Sequence, residues 1–317
     1  MVDQVDEADT AGRHAGPPAD GTRPADASPG TRRDNPAASQ TALPGPDAGQ
    51  ERKVIARRLH RILVDHTYGV ASDAWAKAVP ELRAAWENHK TRYPERSRAA
   101  PGATPDGAWT AGEHRRLTPE QNAEATKACA DLADEGRRDI LPALKRVESA
   151  DPSRRLAGLK HLLKGEDRLK EKIAERLEAK PGRSVQQALN GISDPVRFTF
   201  SYSPRRYADG VRSDVEQLKA EGLELIKLKN LWAEEQYKGI NSQWRRPETG
   251  LRVEVQFHTP ESLEAKEVTH GAYERIRSSA SPAERQELEA FQRQVNAFLI
   301  TPEGAEEIKD YPEKRDG

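Results

Sequence analysis

The clearest alternation of apolar and polar residues in this chain lies between positions 251 and 259. The polar members of the alternation are an arginine, an acid, an amide and an imidazole, namely Arg252, Glu254, Gln256 and His258. Successive side chains point to opposite faces of a β-strand, so the pattern predicts a strand with one apolar face and one face that binds charge. A merely solvated strand face would usually carry Thr, Ser and Lys. The stretch is therefore predicted to form the floor of an active site.

Other stretches predict the elements around this strand. Two more strands are expected at 197–202 and 225–229, and a hairpin is expected over 240–259, turning at 247–250. Helical stripes follow the first strand at 204–220 and the hairpin at 260–277, and Ser281 begins a further helix. The order of these elements predicts an α+β domain with a small mixed sheet whose apolar side is covered by helices. The polar faces of its strands would then line one cleft.

The chain upstream divides by composition. Residues 1–50 are rich in Ala, Pro, Gly and Asp and are predicted to be a disordered leader. Residues 51–96 are predicted to be a helical segment and 97–117 a linker, followed by the catalytic domain at 118–317. Thr118 and Gln121 form a capping box, and the helical pattern that starts there is expected to continue, with breaks, to about Lys180. The helical segment could bind a partner protein, neutralise the domain or act as a spacer.

Charge and cysteine content exclude several classes of protein. Lys, Arg, Asp and Glu make up 32% of the chain but its net charge is only −1, so a nucleotide site must come from local clusters of basic residues. The single cysteine, Cys129, excludes a disulfide or Cys/His metal framework. No apolar run is long enough to cross a membrane and no signal pattern is present. A cytoplasmic location is the default expectation, and secretion or delivery as part of a larger protein stays open.

Two acids near the predicted cleft could hold a metal. Asp194 lies just before the first strand and Glu254 lies in the middle of the last. Mg²⁺ prefers oxygen ligands and usually takes one or two carboxylates together with substrate phosphates. Lys227, Lys229, Arg197 and Arg252 would face such phosphates. Alternatively, Asp194 belongs to a simple turn and Glu254 to a surface ion pair.

Other features are open to a structural or a functional interpretation. Lys266, His270, Tyr273 and Arg277 share one face of the predicted helix after the hairpin, which is either solvated or part of the site. Trp232 and Trp244 are more often packing residues than base-stacking platforms. The sequence contains no phosphate-binding glycine loop of the nucleotide-kinase type, no dinucleotide fingerprint and no nucleophile elbow.

Four motifs taken in order resemble the synthetase domain of the RelA/SpoT alarmone synthetase family. These are Ile192–Thr199 with its Asp and Arg, Lys227–Asn230, Gly239–Ser242, and Glu254–Thr259, which is followed by Glu267, His270 and Tyr273. A segment from Lys164 to Ile173 more weakly resembles the ATP-binding helix of that family. The resemblance covers about residues 155–300. It implies a nucleotidyltransferase-like fold and an enzyme that moves the β,γ-pyrophosphate of ATP onto the 3′-hydroxyl of another nucleotide.

The resemblance also implies roles for individual residues. Asp194 and Glu254 would hold Mg²⁺, and Glu254 would take the proton from the attacking hydroxyl. The donor ATP and its phosphates would be bound by Lys164, Arg168, Lys172, Arg197, Lys227 and Lys229. The acceptor, a purine nucleotide, would be bound by Tyr237, Asn241, Gln256, His258, His270 and Tyr273.

Three departures from the family pattern keep the acceptor open. The spacing from Asp194 to Arg197 is two residues shorter than in the family, Leu162 replaces an arginine, and Ile240 replaces the tyrosine that stacks on the acceptor base. The divergent branches of the family, which include ATP:nucleotide 3′-pyrophosphokinases and toxin-like synthetases, are the better match. GTP/GDP, ATP/ADP and the 3′ end of tRNA are all possible acceptors, and a degenerate, non-catalytic nucleotide-binding module is the alternative of another class. No hydrolase-type His-Asp motif is seen.

Overall fold

The computed structural model describes residues 48–94, 100–112, 115–159, 165–278 and 280–312. The chain divides into two compact units, Met1–Glu51 and Arg52–Gly317. The predicted leader lies outside the described residues except for its last three positions, which begin the first helix. The second unit contains everything discussed below. None of the helices in the described ranges is long and apolar enough to cross a membrane.

Eight α-helices are described. They are α1 (Ala48–Arg92), α2 (Pro119–Glu135), α3 (Leu141–Ser149), α4 (Glu166–Ala179), α5 (Val185–Asn190), α6 (Tyr207–Ala220), α7 (Pro260–Ser278) and α8 (Pro282–Asn296). The capping box predicted at the start of α2 is confirmed. The Thr118 hydroxyl accepts from the Gln121 amide, and the Gln121 side chain accepts from the Thr118 amide. A π-helical turn, Gly136–Ile140, joins α2 to α3.

Eight strands form two sheets. The strands are β1 (Gly102–Ala103), β2 (Trp109–Ala111), β3 (Arg115–Leu117), β4 (Arg154–Ala157), β5 (Val196–Tyr202), β6 (Glu224–Asn230), β7 (Ile240–Arg245) and β8 (Arg252–His258). The small sheet has the order β1-β2-β3 and the large one β4-β5-β8-β7-β6. Only the β5–β8 pair is parallel. The predicted α+β fold with a small mixed sheet is thus confirmed.

One face of the large sheet forms the main hydrophobic core. The residues that β5 and β8 place there are all 2% exposed or less, namely Val196, Phe198, Phe200, Val253, Val255 and Phe257. Helices α3 and α6 cover this face through Leu144, Val147 and Val211. Full burial of each such side chain stabilises the fold by about 1.5–3 kcal/mol. The apolar positions of the alternation thus fix which face of β8 is left for chemistry.

The stretch 97–117 was predicted to be a linker, but its described residues, 100–112 and 115–117, include three short strands. Its three strands form an antiparallel sheet whose Trp109, Ala111 and Leu117 pack with α2, α4 and α5 in a second apolar cluster. The Trp109 indole also donates to Asp167 at the start of α4, at 2.8 Å. These strands are two or three residues long, and such lengths leave too few alternating positions for a pattern to register.

A second correction concerns residues 151–165. The helical pattern expected from Thr118 to Lys180 is interrupted by β4, which pairs antiparallel with β5 at the edge of the large sheet. The Arg154 side chain, 2% exposed, is paired with the fully buried Asp214 of α6. That buried ion pair holds β4 to the body, an interaction that no periodicity could reveal.

Helix α1 shares a hydrophobic core with the domain along its second half. Trp75, Val79 and Leu82 pack against Ala265 and Val268 of α7 and Val295 of α8. Further along, the buried His89 contacts Glu284 of α8 at 3.3 Å. The predicted helical segment therefore exists but shares a core with the domain from which composition separated it.

The C-terminal segment returns to the large sheet. The Tyr311 amide donates to the Leu228 carbonyl at 2.9 Å, and the Leu228 amide donates to the Tyr311 carbonyl at 2.8 Å. Residue 311 thus occupies backbone groups on the outer edge of β6.

Candidate active site

The second face of the large sheet carries two rows of polar side chains, and we call it the polar face. Because directly paired residues project to the same side of a sheet, the strand register assigns each row. The first row is Arg197, Glu254, Gln243 and Lys227, and the second is Thr199, Gln256, Asn241 and Lys229. The alternation in β8 therefore predicted the character of this face correctly, and the register brings together residues from four strands.

One end of the polar face is a network of charges. The Arg197 guanidinium donates through Nε to Glu254 and lies, through Nη2, 3.5 Å from Oδ2 of Asp194. The Lys172 ammonium, from α4, contacts Oδ1 of Asp194 at 2.6 Å. Burial opposes the charge on Arg197, but the pKa of its guanidinium is raised because Glu254 and Asp194 attract that charge. We call Asp194, Glu254, Arg197 and Lys172 the charged end.

The two carboxylates of the charged end share one cation. Asp194 and Glu254 both contact the Arg197 side chain, so they lie close enough together to be bridged by a single positive group. Two carboxylates beside an open face suit Mg²⁺, which completes its ligand set with water and phosphate oxygens. In the described part of the chain no group of three or more His, Cys, Asp and Glu side chains could hold a metal. The two carboxylates fit a metal that takes its remaining ligands from water and phosphate oxygens.

The other end of the polar face is a hydrogen-bonded chain of neutral groups. The Tyr237 hydroxyl donates to Oδ1 of Asn241 at 2.8 Å and lies 3.0 Å from Nε2 of His258, whose Nδ1 lies 2.9 Å from the Ser262 hydroxyl. Gly239 makes this packing possible, because a Cβ there would lie 2.7 Å from the His258 ring. We call Tyr237, Asn241, His258 and Ser262 the neutral end.

Burial keeps the neutral end uncharged. It lowers the pKa of His258 well below its usual value, and the nearby Lys266 cation lowers that pKa further. Burial also raises the pKa of Tyr237, with the Glu254 charge adding to the effect. Imidazole and phenol are therefore both neutral near pH 7, so this end can recognise a ligand only through hydrogen bonds and contact area.

Lys266 belongs to the helix face for which the sequence left a solvated and a functional interpretation open. Its ammonium, on α7, donates to Oε1 of Gln256, which leaves the Gln256 amide NH₂ to point elsewhere. Burial and the Arg197 charge lower the pKa of Lys266 to about 8. Its position on the helix face shared with His270 and Tyr273 was the available signal, but only the packing of α7 brings it to the sheet.

The other predicted phosphate ligands are placed unequally. Lys227 and Lys229 are exposed on the polar face and make no ion pair with the described residues. Arg168 is paired with Glu171 of its own helix and with Glu274 of α7, so it ties α4 to α7. Lys164 lies outside the described residues.

The remaining acceptor-side predictions lie on α7. His270 and Tyr273 are both exposed, and the Arg277 guanidinium lies 5.6 Å from the centre of the Tyr273 ring. They share the helix with Lys266, so they border the polar face without being part of its rows. These positions leave both side chains accessible to a ligand.

Three aromatic or apolar positions cannot stack on a nucleotide base. Ile240, which replaces the stacking tyrosine of the family, is fully buried in the core, as are Trp232 and Trp244 at 1% and 0% exposure. Trp232 and Trp244 are therefore packing residues, the interpretation that the sequence favoured, because their side chains turn toward the apolar face. Tyr237 is the aromatic residue of the neutral end.

Arg252 projects to the polar face, because it lies two residues from Glu254 on β8, but it stands beyond the two rows. It lines a separate cavity of about 130 Å³, bounded by α2, α5 and the turn between β7 and β8. The cavity also touches Pro195, next to Asp194, and Arg252 is the one residue of its lining that was predicted to face phosphates.

Comparison with known proteins gives a likeness of fold. No protein-family model and no curated protein matches the sequence. Small alarmone synthetase 2 from Bacillus subtilis is similar at 13% identity over 55% of this chain and 92% of that chain, with a TM-score of 0.38. Small alarmone synthetase 1 from the same organism gives 14% identity, 55% and 90% coverage and a TM-score of 0.37. A GTP pyrophosphokinase family protein from Streptococcus pneumoniae gives 14% identity, 57% and 90% coverage and a TM-score of 0.36.

At such identities the likeness concerns the fold and says nothing of the substrates of this chain.

Proposed function

We propose that this chain transfers pyrophosphate from ATP to the 3′-hydroxyl of a purine nucleotide in a Mg²⁺-dependent reaction. The observation that carries the proposal is the pair of carboxylates, Asp194 and Glu254, that share the Arg197 guanidinium on an otherwise open polar face. Since ATP is the donor, the proposed place of action is a cytoplasm, reached either by synthesis there or by delivery.

The charged end would receive the donor. Asp194 and Glu254 would hold Mg²⁺, which supplies charge neutralisation for the phosphate oxygens. Lys172 and Arg197 already lie against these carboxylates, so both can turn to the phosphates when the metal replaces them as the counter-charge. The exposed Lys227 and Lys229 extend the positive surface along the same face. Phosphoryl-transfer chemistry needs positioning and charge stabilisation more than covalent help from the protein.

The neutral end would receive the acceptor. Asn241, Gln256 and Tyr237 offer hydrogen bonds there, and His270 and Tyr273 border it from α7. The 3′-hydroxyl oxygen of the acceptor attacks the β-phosphorus of ATP, the bond from that phosphorus to the α,β-bridging oxygen breaks, and AMP leaves. The hydroxyl proton passes to the Glu254 carboxylate, which lies in the row next to Gln256.

Six arginines could form a basic track for RNA, and five of them are paired with acids. Arg205 pairs with Asp65, Arg206 with Asp151, Arg245 with Glu224, Arg246 with Asp139 and Glu248, and Arg275 with Glu284, whereas Arg277 is exposed and makes no ion pair with the described residues. Neutralised arginines release few counterions from a phosphate backbone, so free nucleotides are favoured over the 3′ end of tRNA as acceptor. In a non-catalytic module the contacts of Asp194 and Glu254 with Arg197 and Lys172 would serve no reaction.

Product chromatography tests the proposal directly. The protein is mixed with Mg²⁺, ATP labelled at the β-phosphate, and in turn GDP, GTP, ADP, and deacylated tRNA. AMP release together with label on a free nucleotide supports the proposal. Label on tRNA moves the acceptor to RNA, and ATP binding without AMP release in any mixture supports the non-catalytic module instead.

A further inference from the structure

Helix α1 meets the rest of the molecule through a regular seam. The residues that contact the body recur at alternating steps of four and three, namely Arg61, Asp65, Tyr68, Ser72, Trp75, Val79, Leu82, Trp86 and His89. This is the spacing of a helix packed along a helical partner. The first part of the seam is polar: Asp65 pairs with Arg205, and the Tyr68 hydroxyl accepts from the Glu303 amide at 2.8 Å.

A second stripe on the same helix is apolar and uncovered by the described residues. It consists of Ile55, Leu59, Ile62, Leu63 and Val70, each between 55% and 64% exposed. Ile55, Leu59, Ile62 and His66 repeat the steps of four and three on a different side of the helix from the body seam. We call these five apolar residues the outer stripe. A contiguous run of exposed aliphatic side chains of this kind marks an interaction surface.

The outer stripe is flanked by positive charge. Between positions 52 and 66 lie five Lys or Arg residues, namely Arg52, Lys53, Arg57, Arg58 and Arg61, against one acid, Asp65. That acid is already paired with Arg205. Arg57 and Arg61 lie on the side of the body seam, so Arg52, Lys53 and Arg58 are the cations next to the outer stripe. An occupant that brings Asp or Glu to both sides of an apolar ridge would satisfy these charges.

Other occupants fit less well. A second copy of the chain would bring the same basic flanks together, and like charges across a helix pair are destabilising. Residues 1–47 contain only four large apolar residues, Met1, Val2, Val5 and Leu43, and Leu43 lies far from the other three in the sequence, so they do not form a complementary stripe. Helices that lie on lipid usually insert Trp or Phe, and none occurs between 52 and 70.

We propose that the outer stripe of α1 is the docking surface for an acidic amphipathic helix of a partner protein. The partner would place apolar residues at heptad spacing over Ile55, Leu59 and Ile62 and glutamates beside Arg52 and Arg58. The surface lies on a different element from the polar face, so binding can be measured without any substrate. The proposal therefore stands or falls independently of the proposed reaction.

The test titrates the full chain, by calorimetry, with a designed four-heptad peptide carrying Leu and Ile on the seam and Glu on the flanks. A twin peptide with Lys on the flanks is the charge control. We expect saturable binding of the acidic peptide only, weakened at least about tenfold by L59A/I62A and by R52E/R58E. The matched controls I300A and K145E remove an exposed aliphatic residue and an exposed lysine elsewhere, and should bind as the parent chain does.

Several results would overturn the proposal. Equal binding of both peptides, or of neither, removes the docking surface. Binding to vesicles containing phosphatidylserine without binding to the peptide would assign the stripe to a membrane surface. Self-association of the parent chain in ultracentrifugation, lost in L59A/I62A, would assign it to a second copy. Because alanine is a good helix former, unchanged circular dichroism should confirm that the variants keep the helix.

Discussion

The charged end and the neutral end of the polar face share strands but are held together by different interactions. At the charged end, Asp194, Glu254, Arg197 and Lys172 are held by ion pairs. At the neutral end, Tyr237, Asn241 and His258 are held by hydrogen bonds, and burial keeps the titratable groups uncharged. Glu254 and Gln256 are two residues apart on β8, so the boundary between the two regimes falls within one strand.

The difference between the two ends matches the two parts of the proposed nucleotide substrates. A polyphosphate and its metal need mobile charges that can exchange one counter-ion for another. A sugar hydroxyl and a base need fixed donors and acceptors, and charges there would be costly to desolvate. The following variants either abolish this division or define it more sharply.

Removing a charge at the carboxylates should have the largest effect. Glu254→Gln or Asp194→Asn should lower transfer by about a thousandfold or more, because a pre-organised charge at the reacting centre is lost. AMP release in single-turnover assays measures this. The exposed Glu267, changed to Gln, is the matched control and should retain activity. Retained transfer in either carboxylate variant would show that the charged end is structural.

Crowding the neutral end should have the next largest effect. In Gly239→Ala, the added Cβ would meet the His258 ring at 2.7 Å and the backbone has φ +150°. Backbone strain should cost about 1–3 kcal/mol of unfolding free energy. Loss of the ordered hydrogen bonds should raise the KM of the acceptor about tenfold, with that of ATP unchanged.

Gly222→Ala separates strain from crowding. Gly222 has φ +85° and open space around its Cβ, so only the strain applies there. Urea unfolding and initial-rate kinetics on both variants compare the two. An equal acceptor KM in the two variants would show that the His258 packing does not matter to the acceptor.

The exposed lysines should matter less than either buried end. Lys227→Ala and Lys229→Ala should each raise the KM of ATP about threefold to fivefold, the value of an exposed charge contact. The effect should shrink as salt rises, since exposed charges are screened. Lys219→Ala, on the exposed part of α6, controls for net charge. An effect on the acceptor KM instead would move these lysines to the other substrate.

The smallest effect concerns pH and Lys266. Its pKa of about 8 means that its ammonium loses a proton as the pH rises through that value. Loss of this cation beside Arg197 should raise the KM of ATP by about threefold. Lys266→Arg stays charged, so its KM should stay flat over the same range.

Stability should increase over the pH range in which ATP binding weakens. Above about pH 8 the folded chain has released the Lys266 proton, whereas the unfolded chain keeps it until near the ordinary lysine pKa. The unfolded state then binds more protons, so the unfolding free energy should rise with pH between about 8 and 10. Lys266→Met should remove that increment in denaturant titrations. An increment that persists in this variant would assign it to another group.

The sequence predicted the parts of the site that are local in the chain. The alternation in β8 assigns its side chains to the two faces of the strand, and the three-residue spacing brings Asp194 and Arg197 close together. The turn that ends at Gly250 was likewise evident from the sequence alone. The apolar positions of that alternation fix which way Glu254 and Gln256 face, because burying the wrong set would be costly.

The parts that could not be predicted depend on packing across long separations. Lys266 reaches Gln256 only because α7 folds back over β8, and Lys172 reaches Asp194 only because α4 lies beside β5. The short strands around Trp109 and the strand at Arg154 were missed because too few alternating positions distinguish them from loop or helix. Ile240 shows the limit of motif matching, since its place in the motif suggests the site while its side chain lies in the core.

The pairing of Tyr311 with Leu228 has a consequence for solubility. An uncovered outer strand invites another chain to add to it, and this is a common route to aggregates. Here residue 311 fills the backbone groups at Leu228, and Lys227 and Lys229 stand on either side of it. This bridge interrupts the edge at which a strand of a neighbouring molecule could pair, so removing residues 309–317 should promote turbidity at high protein concentration.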